Sequence, residues 1–348
     1  MTSTDAPRLA VRSPADLVAA VPYLLGFHPT DSLVVVAMRG RRVTFAARLD
    51  LPAPADPVTP ARHLAVVVAR QAAETATVLG YGPATRVTPG VDAIRAALAD
   101  EGIPVLDALR VTDGRYWSYL CAEPECCPPD GTPYDVSASA VTAAAVFAGQ
   151  VALPDRAALV AQVAPVQGAD RAALTRAAER AERRLTDLLD RASRTDLTSG
   201  RSVRVAGTAA VRLALRGQRR GRRLTDDEVA WLALLLTDVT VRDFAWERTD
   251  GRDEDIALWA DVLRRAEPEF VAAPGALLAF AAWQAGQGAL AAVALERTLA
   301  LHPDHSLARL LDDLLRHGVP PARLDGWPAV GVPGVVRRRR RRSDRGPR

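Results

Sequence analysis

The apolar positions of this chain fall into two regimes, and the change of period between them predicts two differently built halves. In the first third the period alternates between that of a helix and that of a strand. Leu17, Val18, Val21, Leu24 and Leu25 form a stripe at helical spacing. Ser13 precedes it as an N-cap, with Pro14 at the first helical position and Asp16 near the positive end of the helix dipole. Pro22 is expected to bend or end this helix. Leu33 to Met38 is apolar without interruption, which predicts a strand buried on both faces. Val43, Phe45, Ala47 and Leu49 then alternate with polar or small residues, as in a half-buried strand. Arg39-Gly40-Arg41 separates the two as a hairpin turn.

A proline-rich connection over 52–60 leads to a helix over 61–75, a strand over 76–81 and a helix over 91–100, closed by Gly102. Strands over 105–112 and 115–121 form a second hairpin across Asp113-Gly114, a favoured tight-turn pair. The order ββαβαββ predicts an α/β sandwich with a mixed sheet. A turn-rich stretch from Cys121 to Tyr134 and a small-residue helix over 138–149 complete this half.

From Asp155 onward the pattern is helical throughout. It includes a long alanine-rich charged helix over 168–193 and a capping box at Thr225-Asp-Asp-Glu228 before the apolar run 229–236. Helices over 254–265, 275–285, 289–301 and 306–316 follow, joined by the short loops of antiparallel neighbours. The pair over 277–301 resembles a tetratricopeptide-type unit, with only one unit legible. The predicted fold class is α+β (α/β in its first half): a mixed-sheet domain over 1–150, an all-helical domain over 151–325, and a disordered arginine-rich tail over 326–348.

Composition removes several chemistries. All 45 basic residues are arginine. A Walker A phosphate loop and a pyridoxal-phosphate Schiff base both need lysine, so both are excluded. The formal charge of +4 is misleading, because the last twelve residues carry eight arginines and one aspartate. The remainder holds 37 basic against 40 acidic residues and is not a basic body. No apolar run approaches the ~18 residues that span a bilayer, so no membrane association is expected. The N-terminal residues lack the layout of a secretion signal, and a cytoplasmic address is expected.

Three stretches carry candidate chemistry. Gly26, His28, Thr30, Asp31 and Ser32 lie in a turn between the first helix and the first strand. Its amides and the Thr30 and Ser32 hydroxyls could bind an anion, with Asp31 or His28 as acid or base; alternatively these residues cap a turn. Asp113, Arg115 and Trp117 belong to the second hairpin. Arg115, Trp117 and Tyr119 share one strand face, an arrangement that can hold a carboxylate, a phosphate or a base, or merely present an ion pair. Cys121, Cys126 and Cys127 offer three thiols without CxxC spacing and without a nearby histidine. No metal is expected there. Free thiols shaping a turn are the simpler reading, and a redox-active pair the sharper one. His302 and His305 are read as capping an inter-helix turn. Gly286-x-Gly288-x-x-Ala291 lacks the preceding strand of a dinucleotide fingerprint and is read as a helix-hairpin turn.

Three segments together carry a resemblance: Pro22-Tyr-Leu-Leu-Gly-Phe-His-Pro-Thr-Asp-Ser-Leu-Val-Val-Val36, Asp113-Gly-Arg-Tyr-Trp-Ser with Cys126-Cys-Pro128, and Ala281-Ala-Trp-Gln-Ala-Gly-Gln-Gly-Ala-Leu-Ala291. They resemble the domain of unknown function 4192 family over nearly the whole chain to about Pro321. That family occurs mainly in high-GC bacteria, in keeping with the absent lysine. It has no established activity, so the resemblance transfers no catalytic residue and no cofactor.

The leading expectation is a binding or scaffold protein that acts on a protein partner through its helical domain or interdomain cleft. An enzyme with a site made by the 26–32 loop and the 113–119 hairpin is the alternative. Non-specific nucleic-acid association through the arginine tail is the third.

Overall fold

The computed structural model describes residues 11–40, 42–53, 56–137 and 139–324. The arginine tail lies wholly outside these residues, and the 39–41 turn and the 52–60 connection lie partly outside.

The chain begins with α1 (Pro14–Leu25), capped by Ser13, whose hydroxyl accepts from the Asp16 amide at 3.1 Å. Pro22 does not end this helix, which runs one turn further to Leu25 and stops at Gly26 in the left-handed conformation (φ 83°). Burial of Leu17, Val18 and Val21 against the sheet holds the helix together across the missing donor.

Next come β1 (Ser32–Arg39) and β2 (Arg42–Asp50), the expected hairpin. The helix α2 spans Val58–Arg70 and starts three residues before the sequence suggests. Pro60 falls in its first turn, where a proline lacks nothing because no helical donor is used there. The strand β3 (Thr75–Tyr81) leads to α3 (Ala84–Asp100), which begins seven residues earlier than its apolar pattern implies. Pro89 sits inside that extra stretch, and the helix persists because Val87 is fully buried there. The strands β4 (Val105–Thr112) and β5 (Arg115–Ser118) form the second hairpin, and a two-residue β6 (Thr132–Pro133) is added beyond it.

The six strands lie in the order β2-β1-β3-β4-β5-β6. Only β3 and β4 are parallel, so the sheet is mixed. One face carries Leu33, Val35, Ala76, Val78 and Ala108 beneath residues of α2 and α3. The other carries Val34, Val36, Leu79, Leu109 and Tyr116 beneath α1. The continuous apolar run of β1 is therefore explained, since Ser32 to Ala37 are buried on both faces.

After α4 (Ala140–Phe147), which packs on α1, the chain is helical: α5 (Arg156–Val163), α6 (Gly168–Asp190), α7 (Arg194–Ser199), α8 (Arg201–Gln218), α9 (Asp226–Leu235), α10 (Val239–Trp246), α11 (Asp253–Arg265), α12 (Ala272–Gln284), α13 (Gly288–Leu301) and α14 (Ser306–Arg316). The fold is α+β. The capping box opens α9 as expected, with Glu228 accepting from the Thr225 amide at 2.9 Å and Thr225 from the Glu228 amide at 3.3 Å. His305 caps α14 through Nδ1, which accepts from the Ala308 amide at 3.3 Å. Gly286 forms the turn between α12 and α13 (φ 78°). Every residue from Ala273 to Trp283 is buried, so α12 is the interior of the helical layer and offers no outward groove. No helix among the described residues is long and apolar enough to cross a membrane.

Candidate functional site

The turn after α1 joins the two halves of the molecule. Phe27 is 2 % exposed, and its ring belongs to the core of the helical half together with Leu25 and Leu153. Around it the backbone pairs with the segment entering α5: the His28 amide donates to the Leu153 carbonyl at 2.9 Å, and the Leu153 amide to the Gly26 carbonyl at 2.8 Å. The buried Ser32 hydroxyl donates to the Thr30 carbonyl and accepts from Arg48 Nε at 2.8 Å. Arg48 also lies over the Phe27 ring, 5.7 Å from its centroid, and pairs with Asp50 at 2.6 Å. Asp31 has φ 43°, and its carbonyl accepts from the Leu51 amide at 3.0 Å. The side chains of His28, Thr30 and Asp31 are exposed. A second seam lies at the other end of the chain. His63 Nε2 bonds the Arg316 carbonyl at 2.9 Å, and Gln71 donates to the Gly318 carbonyl.

The sheet register relates this turn to the second hairpin. Ser32, Tyr81, Val111 and Tyr116 form one row across β1, β3, β4 and β5. The loops carrying Asp31 and Arg115 thus leave the same end of the sheet, three strand spacings or about 14 Å apart. The side chains do not converge. Two surface cavities, of about 640 and 20 Å³, are lined by neither residue; the larger lies between α3 and the start of β4 and includes Leu120.

Arg115 instead turns to the cysteine loop, where its guanidinium donates to the Gly131 carbonyl at 2.8 Å and to the Asp130 carbonyl at 3.3 Å. Trp117 Nε1 donates to the Pro129 carbonyl at 2.9 Å. The Arg110 guanidinium lies over its ring, 3.7 Å from the centroid, and Gly131 packs closely against the same ring. A Cβ at position 131 would come within 2.4 Å of that ring, and φ there is 78°. Only glycine fits both demands. Asp113 stays at the hairpin turn (φ 51°), its carboxylate accepting from the Thr112 hydroxyl at 3.2 Å.

From Asp107 a short polar chain positions the first thiol. The Ser118 hydroxyl donates to Asp107 at 2.7 Å and accepts from the Cys121 amide at 3.1 Å. The Glu123 carbonyl accepts from the Cys126 and Cys127 amides at 3.2 and 2.8 Å, folding the loop back on itself. The result is a cluster of three free thiols. Cys121 Sγ lies 3.0 Å from Cys126 Sγ, Cys126 Sγ lies 3.8 Å from Cys127 Sγ, and all three sulfurs fall within 4.8 Å of one another. Hydrogen bonds from the other two thiols hold the Cys121 thiol below its ordinary pKa. The same sharing raises Cys126 and, with burial, pushes Cys127 up to about 12. Cys121 is therefore the first of the three to give up its proton.

Sequence reasoning placed the thiols, Arg115 and Trp117 near one another without seeing that the latter two hold the loop. It passed over Asp107, Arg110 and Gly131. The turn signal Pro128-Pro-Asp-Gly131 was legible and could have marked the glycine.

The family model for Domain of unknown function (DUF4192) matches residues 14–322. The chain belongs to this family. The match takes in the α1–β1 joint, the second hairpin, the cysteine loop and the helical layer, so the site described lies wholly inside the family's domain. No curated protein and no solved structure matches the chain.

Proposed function

We propose that this member of the family is a binding protein that works through its thiol loop, carried on a body whose two halves are pinned together. The observation that carries this reading is the convergence of three sulfurs on a largely exposed loop. Free cysteine is ordinarily among the most buried residue types. Here Cys126 is exposed and the other two are half-buried, so apolar packing does not account for their meeting. In the alternative enzyme site, Ser32, Arg115 and Trp117 donate to backbone carbonyls and so serve the joint and the loop, while His28, Thr30 and Asp31 stand exposed and apart from them. That favours binding over catalysis by a 26–32 and 113–119 site. Three reduced thiols suit a reducing compartment, in keeping with the expected cytoplasmic address.

A thermal-denaturation screen tests this. The reduced chain is offered thiophilic cations singly, beside a variant with all three cysteines changed to serine. At a hundredfold excess over Kd a ligand stabilises by about 2.7 kcal/mol. A cysteine-dependent shift with at least one cation is expected; no shift with any of them contradicts the reading.

A second reading keeps the scaffold role. Phe147 is 94 % exposed at the end of α4, with Val146 and Val151 also exposed, in the segment that leads to the Phe27–Leu153 joint. Such a patch suits the apolar face of a protein partner. Changing Phe147 to aspartate is expected to abolish a stoichiometric complex with that partner on size exclusion while leaving the thermal midpoint in place; an unchanged complex removes this reading.

A further inference from the structure

The thiol loop has a geometry more specific than general reactivity. We propose that Cys121, Cys126 and Cys127 form a zinc site with three thiolate ligands and a fourth position open to an exchangeable ligand. The inference rests on the binding reading above and names its ligand.

Zinc–thiolate bonds are about 2.3 Å, so sulfurs at three corners of a tetrahedron stand about 3.8 Å apart. The observed Sγ separations of 3.0 and 3.8 Å, none beyond 4.8 Å, bracket that value. A cation at the centre needs the Cys121–Cys126 pair to spread by a little under an ångström, while the Cys126–Cys127 pair already stands at the required separation. The scaffold behind the sulfurs is built to keep them there. Ser118 fixes the Cys121 amide, the Glu123 carbonyl fixes the other two amides, and Arg115 and Trp117 hold three consecutive carbonyls at the far side of the loop. A loop with so little apolar cover gains from a staple, and a cation held by several thiolates is one that folds and binds together.

No imidazole or carboxylate joins the cluster among the described residues, and Cys126 faces solvent. Three protein ligands with an open corner is the pattern that keeps an exchangeable water on zinc, in contrast to the closed four-ligand structural site. Binding is balanced without an oxidant. Each of three S–H bonds breaks heterolytically, the protons pass to solvent, and three sulfur lone pairs together with one water complete the coordination. A Cys121–Cys126 disulfide is the competing fate of the same atoms. It requires an external oxidant and leaves Cys127 idle beside it.

Cobalt(II) substitution tests the proposal on the full, reduced chain. One equivalent is expected to give thiolate-to-cobalt charge-transfer absorption and the visible bands of a tetrahedral centre, both removed by stoichiometric zinc. Cys121→Ser and Cys126→Ser are each expected to weaken zinc binding at least tenfold. X-ray absorption on the wild-type zinc form counts the ligands without any variant, and three sulfurs with one lighter atom are expected. Added imidazole is expected to shift the cobalt bands; bands that do not move overturn the open position. Absence of the bands with three freely alkylated thiols overturns the site, as does a disulfide in the freshly reduced chain. If copper(I) binds and zinc does not, the zinc inference fails while the binding reading stands. If no thiophilic cation binds, both fail.

Discussion

Replacing Phe27 with alanine separates a joint from a ligand loop more sharply than any change to the polar residues around it. The ring is 2 % exposed within the helical core, yet it is carried by the turn that starts the sheet half. The backbone bridge to Leu153 does not depend on the side chain, so the variant keeps its hydrogen bonds and loses the packing. A buried phenylalanine truncated to alanine costs about 3–5 kcal/mol. The lost contact with the Arg48 guanidinium adds about 0.5–1 kcal/mol. Equilibrium urea unfolding reads the loss. Tryptophan emission reports chiefly the helical half through Trp231, Trp246, Trp259 and Trp283, and far-ultraviolet circular dichroism reports both. The expected result is a fall of at least about 3 kcal/mol, a large part of a marginal total. Asp31→Asn serves as control, expected to stay within about 0.5 kcal/mol because that side chain is exposed and asparagine tolerates its φ. A Phe27→Ala loss below about 1 kcal/mol would mean that this ring does not join the two halves.

Other outcomes follow from single contacts. Gly131→Ala pushes a methyl into the Trp117 ring and strains a positive φ, so the loop should lose its order at a cost of about 1–3 kcal/mol; faster alkylation of all three cysteines, resolved by peptide mass analysis, checks it. Tyr81 is buried with no partner for its hydroxyl among the described residues, and burial raises its pKa. Tyr81→Phe should therefore raise stability, by about 1–3 kcal/mol, in a urea titration. His305 must be neutral at Nδ1 to cap α14, and burial, followed by the Arg242 and His302 charges, lowers its pKa. The unfolded chain protonates first, so the stability His305 contributes is fully present above its ordinary pKa and is lost as pH falls from that value through the lower pKa of the folded state. His305→Asn should flatten the decline of the thermal midpoint between neutral pH and about pH 5; an undiminished slope counts against this cap.

Much of the architecture was legible because periodicity is set by burial. The two-faced burial of β1 follows from its uninterrupted Leu33–Met38 run, and the capping box at Thr225 from two side chains three residues apart. Prolines marked the errors. Pro22 is expected to bend or end its helix and Pro60 to close a connection, yet both lie within helices, as does Pro89 ahead of the apolar pattern of α3. Pro60 falls where no donor is needed, and buried neighbours of Pro22 and Pro89 outweigh one lost hydrogen bond. The site was legible as residue types and not as partnerships. That Arg115 and Trp117 hold the carbonyls of 129–131 depends on the return of the chain through β6, a two-residue strand with no periodicity to read. Phe27 looked like part of a polar turn because its partner, Leu153, lies more than a hundred residues away.

Whether the three thiols are held together to bind is decided by native mass measurement of the full chain purified under reducing conditions. The predicted result is a chain carrying the added mass of one metal ion, released on acid unfolding and absent when Cys121, Cys126 and Cys127 are all serine. A bare chain mass with three free thiols, unchanged after incubation with thiophilic cations, would contradict it.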